Sequence, residues 1–178
     1  GLLGAADRAQ AWLYQRLVND ALSATIYPAY LAGLGYSIDV ADSGFAISVN
    51  GYQDKQMALL DTVAQKLLNA EISTDRFTTI KASLIKDWRN SRKDKPYVQA
   101  LGALNDTLLS ASWSAETLAD ALEPITVEGL LQWRFEQFQD VGVIAALHGN
   151  VTASEAEQLH RFINETIKPK SVVRQRTR

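Results

Sequence analysis

YSIDVADSGFAISVNGYQDKQ, residues 36–56, is the stretch on which the fold turns. Tyr36, Ile38 and Val40 alternate with Ser37 and Asp39, and Phe45, Ile47 and Val49 alternate in the same way, which is strand spacing. Between them ADSG (41–44) is a turn in which Gly44 is free to take a positive φ, so the two runs predict a β-hairpin. The period then changes. Met57, Leu60, Val63, Leu67 and Leu68 recur at helical spacing and predict a helix over 55–68. Asp54 directly precedes it and is expected to accept N–H bonds at the helix start, a cap worth about 1 kcal/mol. Gly51 is expected to let the chain leave the strand, and Tyr52 to bury its ring beside the hairpin. GYQDKQ (51–56) also has the look of an acid–base cluster, so partners for it are worth seeking elsewhere in the chain.

Before the hairpin, Leu13, Leu17, Ala21 and Leu22 predict a long helix from about Asp7 to Leu31. Pro28 should kink it or tighten its last turns, and Gly33 and Gly35 should stop it. After residue 68 the pattern stays helical. Phe77, Ile80, Leu84 and Trp88 form one stripe, which KDKP (93–96) ends because a residue before proline avoids the α region. Val98, Leu101, Leu104 and Leu108 form the next. Shorter helices open at Ser114 and Thr126, each a hydroxyl N-cap with a glutamate two places on, and the second carries Leu131, Phe135 and Phe138. VGVIAAL (141–147) is apolar throughout and reads as a buried central strand. Thr152 and Glu155 form a capping box for a last helix to about Ile167. The order α-β-β-α-α-α-α-α-β-α predicts an α+β fold, with helices packed on a mostly antiparallel sheet. Three strands make a small sheet for 178 residues.

No partner for an acid–base cluster is found. His148 and His160 are not at the i, i+4 spacing of a helical zinc site, and neither HExxH nor HxxEH occurs. There is no cysteine, so no disulfide and no thiolate ligand. No GxSxG nucleophile elbow or glycine-rich phosphate loop is present. Trp12, Trp88, Trp113 and Trp133 are scattered over separate helical segments and read as core. The chain itself is therefore expected to hold no metal, no cofactor and no catalytic residue.

Net charge is −2. Residues 168–178 hold Lys168, Lys170, Arg174, Arg176 and Arg178 with no acid. Taking those five from the 18 basic residues leaves 13 against 20 acidic ones, a body at −7. An acidic body, and a basic tail with no aromatic residue to stack bases, argue against nucleic acid as a partner. No apolar run approaches the roughly 18 residues of a membrane span. The expected organisation is one domain over 1–167, followed by a basic linker over 168–178 towards a further domain.

YLAGLGYSI (30–38), GFAISVNGYQDKQ (44–56), DRFTTIK (75–81) and LHGNVT (147–152) occur in an order and spacing that resemble the middle region of the insulinase–pitrilysin zinc metallopeptidases. The resemblance runs from about Leu13 to Ile167, and NSRKDKPY (90–97) and TLADALEPIT (117–126) look like the family's intervening helices. Its signature positions here are Gly51, Tyr52, Asp54, Lys55, Gln56, Arg76, Phe77, Gly149 and Asn150.

The resemblance implies a long parent chain of four related α+β domains, arranged as two bowl-like halves around a closed chamber. It places zinc and its glutamate base in the first domain, on HxxEH, and makes this stretch the third domain, without a zinc motif. The resemblance also implies a first strand, ahead of the long helix, that is expected to be missing from this chain, which would suit the small sheet. The function so implied is non-catalytic: to wall the chamber, help hold peptide substrate, and dock onto the catalytic half of the same polypeptide. By analogy with bacterial members, the resemblance implies a periplasmic location. Two alternatives stand beside it: a parent of the pyrroloquinoline-quinone biosynthesis type, and a stand-alone protein-interaction module.

Overall fold

The computed structural model describes residues 4–51, 53–91, 113–149, 152–169 and 171–174. Its spine is α1 (Ala5–Leu31). Ala9, Leu13, Tyr14, Leu17, Val18, Leu22 and Ile26 are all buried, so the helix is apolar around more than one side, as a central helix must be. Pro28 lies inside it and does not end it before Leu31. The last turn closes with the Ala32 N–H shared between the Pro28 and Ala29 carbonyls, and Gly33 leaves at φ +78°.

β1 (Gly35–Ala41) and β2 (Gly44–Asn50) form the antiparallel hairpin, with Gly44 at φ +139°. Tyr36 faces Val49, Ile38 faces Ile47 and Val40 faces Phe45. The alternating apolar residues thus meet as cross-strand pairs on one face, and that face lies on the core around α1. Ser37, Asp39, Ala46 and Ser48 point the other way and are exposed.

α2 (Gln53–Asn69) starts two residues earlier than its apolar stripe signals. Asp54 is therefore not the residue before the helix but a member of its first turn, where an acid meets the positive end of the dipole. The physical reason is the turn at Gly51, which brings the backbone into helical geometry before the first core-facing side chain. α3 (Thr74–Asn90) opens on Ser73, whose hydroxyl accepts from the Arg76 N–H, and buries Phe77 and Leu84. The helix expected over 98–108 lies outside the described residues.

α4 (Ala115–Leu122) and α5 (Val127–Gln139) are capped by Ser114 and Thr126 as expected, through Thr117 N–H and Gly129 N–H. The α5 stripe differs by a position. Leu130 and Trp133 are buried and Phe138 packs on the core, whereas Phe135 is 59% exposed. α6 (Ala153–Phe162) opens on the Thr152–Glu155 capping box and runs into a single π-helical segment, Ile163–Ile167.

The strand in VGVIAAL departs from expectation. β3 spans only Gly142–Ala145, its residues alternate in exposure, and Ile144 is 70% exposed. It pairs in parallel with β4 (Ser171–Arg174), inside the stretch expected to be linker. An apolar run becomes a buried strand only with neighbours on both sides, and among the described residues β4 is its one partner. The class is α+β, as expected, with one antiparallel and one parallel two-stranded sheet.

Candidate functional site

The chain crosses itself where GYQDKQ begins. Gly51 sits at φ +131°, and a Cβ built there would lie 2.7 Å from Leu34 Cδ2, 2.8 Å from the Gly33 carbonyl oxygen and 2.9 Å from Leu34 Cα. Glycine alone suits both the torsion and the space. One turn further on, Gln56 Nε2 donates to the Gly51 carbonyl at 2.6 Å and ties α2 back to the end of the hairpin. Lys55 beside it is exposed.

Arg76 and Phe77 act at a different junction. The Arg76 guanidinium makes a two-pronged clamp on Asp20 of α1, with Nε donating to Oδ2 at 2.8 Å and Nη2 reaching Oδ1. Asp20 accordingly raises the Arg76 pKa above its ordinary value. Phe77 is buried, with the Lys81 ammonium 5.6 Å from its ring centre. Gly149, at φ +117° with open space around it, turns the chain after β3. Tyr52 and Asn150 lie outside the described residues, as does the Asp54 side chain. The described signature residues thus serve three junctions and do not converge on one site.

Two polar devices were not legible in the sequence. Tyr14 is fully buried, donates its hydroxyl to the Leu67 carbonyl at 2.5 Å, and has the Arg134 guanidinium 5.9 Å above its ring. Arg134 Nη1 in turn donates to the Ala70 carbonyl at 2.7 Å, so α1 and α5 together satisfy the backbone at the end of α2. Burial pushes the Tyr14 phenol up, with Arg134 opposing it. Around it Phe45, Trp133 and Phe138 pack with ring centres 5.8–6.4 Å apart, and the Trp133 indole N–H donates to Asp7 Oδ1 at 3.1 Å. The second device is Lys81. It donates to the Glu123 and Ile125 carbonyls at 2.7 and 2.6 Å, closing the C-terminal end of α4. Partial burial lowers its pKa. Neither residue breaks the local pattern, so only the packing of distant elements reveals its task.

His148 is exposed, and the His160 ring lies 3.1 Å from the Asn164 side chain. Among the described residues no three His, Cys, Asp or Glu side chains are placed to hold a metal ion, and no helix is long and apolar enough to cross a membrane. Trp133 is buried and Trp12 and Trp88 pack against the core, while Trp113 is 40% exposed. A shallow cleft of about 220 Å³ opens between the ends of α2 and α5, lined by Leu68, Asn69, Arg134, Phe135, Phe138 and Gln139. Its one charged group, Arg134, is already engaged by Ala70 and Tyr14. What the surface does offer is apolar area at the end of α1, where Tyr27, Tyr30 and Leu31 are 63%, 71% and 70% exposed.

Comparison with known proteins gives this geometry its context. Residues 4–121 match the family model described as the middle or third domain of peptidase M16. The chain is 31% identical to human insulin-degrading enzyme over 157 residues, covering 88% of this chain and 15% of that protein. It is 30% identical over 164 residues to an Arabidopsis thaliana protein named insulin-degrading enzyme-like 1, peroxisomal, covering 91% of this chain and 17% of that one. Among solved structures, pitrilysin superposes with a TM-score of 0.82 over 94% of this chain and 18% of its own, at 18% identity, which speaks for the fold. The chain thus spans less than a fifth of the length of each of these proteins. The periplasmic expectation is contradicted: the two relatives are human and plant proteins, from cells that have no periplasm, and one is named as peroxisomal. The matched model, the relatives and the shared fold agree that this chain belongs to the peptidase M16 family, as a middle domain.

Proposed function

We propose that this chain is the non-catalytic third domain of a zinc-dependent metalloendopeptidase, walling part of a substrate chamber and docking onto the catalytic half of the same polypeptide. The observation that carries this reading is the match of residues 4–121 to the middle or third domain of peptidase M16, in a sequence that contains no HxxEH. Zinc belongs to the parent's first domain on this reading, and the present chain supplies shape. Its interior fits that role: the buried Tyr14 hydroxyl and the half-buried Arg134 guanidinium are spent on backbone carbonyls and hold helices together. The acidic body, at −7, would favour basic peptides through long-range attraction at low salt.

Peptide hydrolysis tests the reading. The full-length protein is expected to cleave unfolded peptides and lose that activity to a chelator, whereas residues 1–178 alone cleave none and hold no zinc after dialysis. A full-length protein with no peptidase activity, or stoichiometric zinc in the isolated chain, would overturn it. Equal binding of oppositely charged labelled peptides at low salt would sink the charge preference alone.

A further inference from the structure

The last turns of α1 are apolar on two sides. Ile26 is buried and Ala29 packs against the core, while Tyr27, Tyr30 and Leu31 stand out on the opposite side. Those three lie at i, i+3 and i+4, so they form one stripe on one face of the helix. A helix that is hydrophobic all round belongs in an interior, and here only half of that interior is supplied. No charged residue occurs from Ala21 to Ile38, so the stripe has no ionic group of its own to select or repel a partner. Two tyrosines and a leucine on a regular helix, held from behind by the core, make a rigid aromatic surface. Rigid aromatic side chains give contact area at low entropic cost.

We propose that Tyr27, Tyr30 and Leu31 form the contact by which this domain packs against another domain of its own polypeptide. This names the surface for the docking in the reading above and rests on it. Area decides between a tethered and a free partner. The three side chains expose on the order of 400 Å², within the range of the largest single patch on a monomer. A free-standing complex needs about 800 Å² from each partner. Contacts between domains of one chain hold with about 600–1,500 Å² in total, because the tether keeps the partner at an effective concentration of about millimolar. The stripe is too small to recruit a free protein or a second copy unaided, and large enough for a tethered domain. The partner is at hand: this chain spans 15% of human insulin-degrading enzyme and 17% of the Arabidopsis relative, leaving most of such a polypeptide outside it.

The test places a photo-cross-linking phenylalanine analogue at Tyr30 in the full-length protein, where an exposed aromatic replaces an exposed aromatic. The cross-linked peptides are then read by mass spectrometry. The expected product joins position 30 to a residue of the same polypeptide outside 1–178, with a yield unchanged on dilution. Cross-links between isotopically light and heavy copies would assign the stripe to self-association. Cross-links only to added peptide substrate would assign it to the chamber lining. Either result, or products confined to residues 1–178, would overturn the proposal. Peptidase activity of the same sample keeps the two readings apart: an active protein with the wrong cross-link refutes the docking surface and leaves the proposed function standing. A wild-type protein without activity refutes the function itself.

Discussion

Replacing Gly51 by alanine separates what a backbone torsion costs from what crowding costs. Gly51 and Gly44 have nearly the same φ, +131° and +139°, but a Cβ at Gly44 meets nothing within 4 Å. At Gly51 the same atom would stand 2.7–2.9 Å from Leu34 and from the Gly33 carbonyl, and two of its three neighbours are backbone. The torsion alone costs about 1–3 kcal/mol for a residue with a side chain. Alanine returns about 0.4–1 kcal/mol by restricting the unfolded chain. Gly44→Ala is therefore expected to lose about 1–2 kcal/mol. Gly51→Ala adds an overpacking penalty of about 1–3 kcal/mol, for a total of about 2–5 kcal/mol. Urea unfolding followed by far-ultraviolet circular dichroism reads both. With an m value of about 2 kcal/mol/M, the extra loss moves the Gly51→Ala midpoint below that of Gly44→Ala by about 0.5–1.5 M. Equal midpoints for the two variants would refute the crowding argument. A Gly51→Ala protein as stable as the wild type would refute the torsion argument as well.

Tyr14→Phe keeps the ring and removes the donor to the Leu67 carbonyl, and should cost about 1–2 kcal/mol at neutral pH. Because the folded-state pKa of Tyr14 is raised, mainly by burial, the folded protein holds this proton at pH values where the unfolded chain has released it. The contribution is complete below about pH 10 and is lost as pH rises through the folded value. The fall in urea midpoint above pH 10 should be shallower in Tyr14→Phe than in the wild type, and an unchanged slope would show that another group governs it. Thr152→Ala removes the hydroxyl that accepts from the Glu155 N–H at 3.3 Å, while the backbone N–H of residue 152 keeps its bond to the Glu155 carboxylate. It should cost about 1 kcal/mol and raise amide exchange in the first turn of α6. Exchange equal to the wild type there would show that packing, not the cap, holds that end.

Local signals were read correctly where the cause is local. The hairpin pairs Tyr36, Ile38 and Val40 with Val49, Ile47 and Phe45, because a two-residue turn, Asp42 and Ser43, followed by Gly44 admits that register. The caps at Ser114, Thr126 and Thr152 bond N–H groups three residues on, within reach of any chain that starts a helix there. The family, too, was legible from motifs in order. The misreadings share a cause. The helical period puts Phe135 in the core stripe and the apolar run puts VGVIAAL in a buried strand, yet Phe135 and Ile144 are 59% and 70% exposed. Apolarity states that a side chain can be buried, and only the neighbours decide whether it is. The apolar period places Asp54 just before its helix, and the turn at Gly51, three residues upstream, moves the start to Gln53.

What the sequence by itself determined is each element that a period of two or of 3.6, a glycine or a capping hydroxyl can specify, because those signals act over a few residues. What the tertiary structure decided is every pairing across distance. It spends Tyr14 and Arg134 on the carbonyls of Leu67 and Ala70, clamps Arg76 onto Asp20, and joins the 142–145 strand to 171–174. It also gives Gly51 a second reason to be glycine. One strand-to-helix turn needed the torsion, but the close passage of Gly33 and Leu34 took the space, and no reading of GYQDKQ alone contains the chain that crosses it.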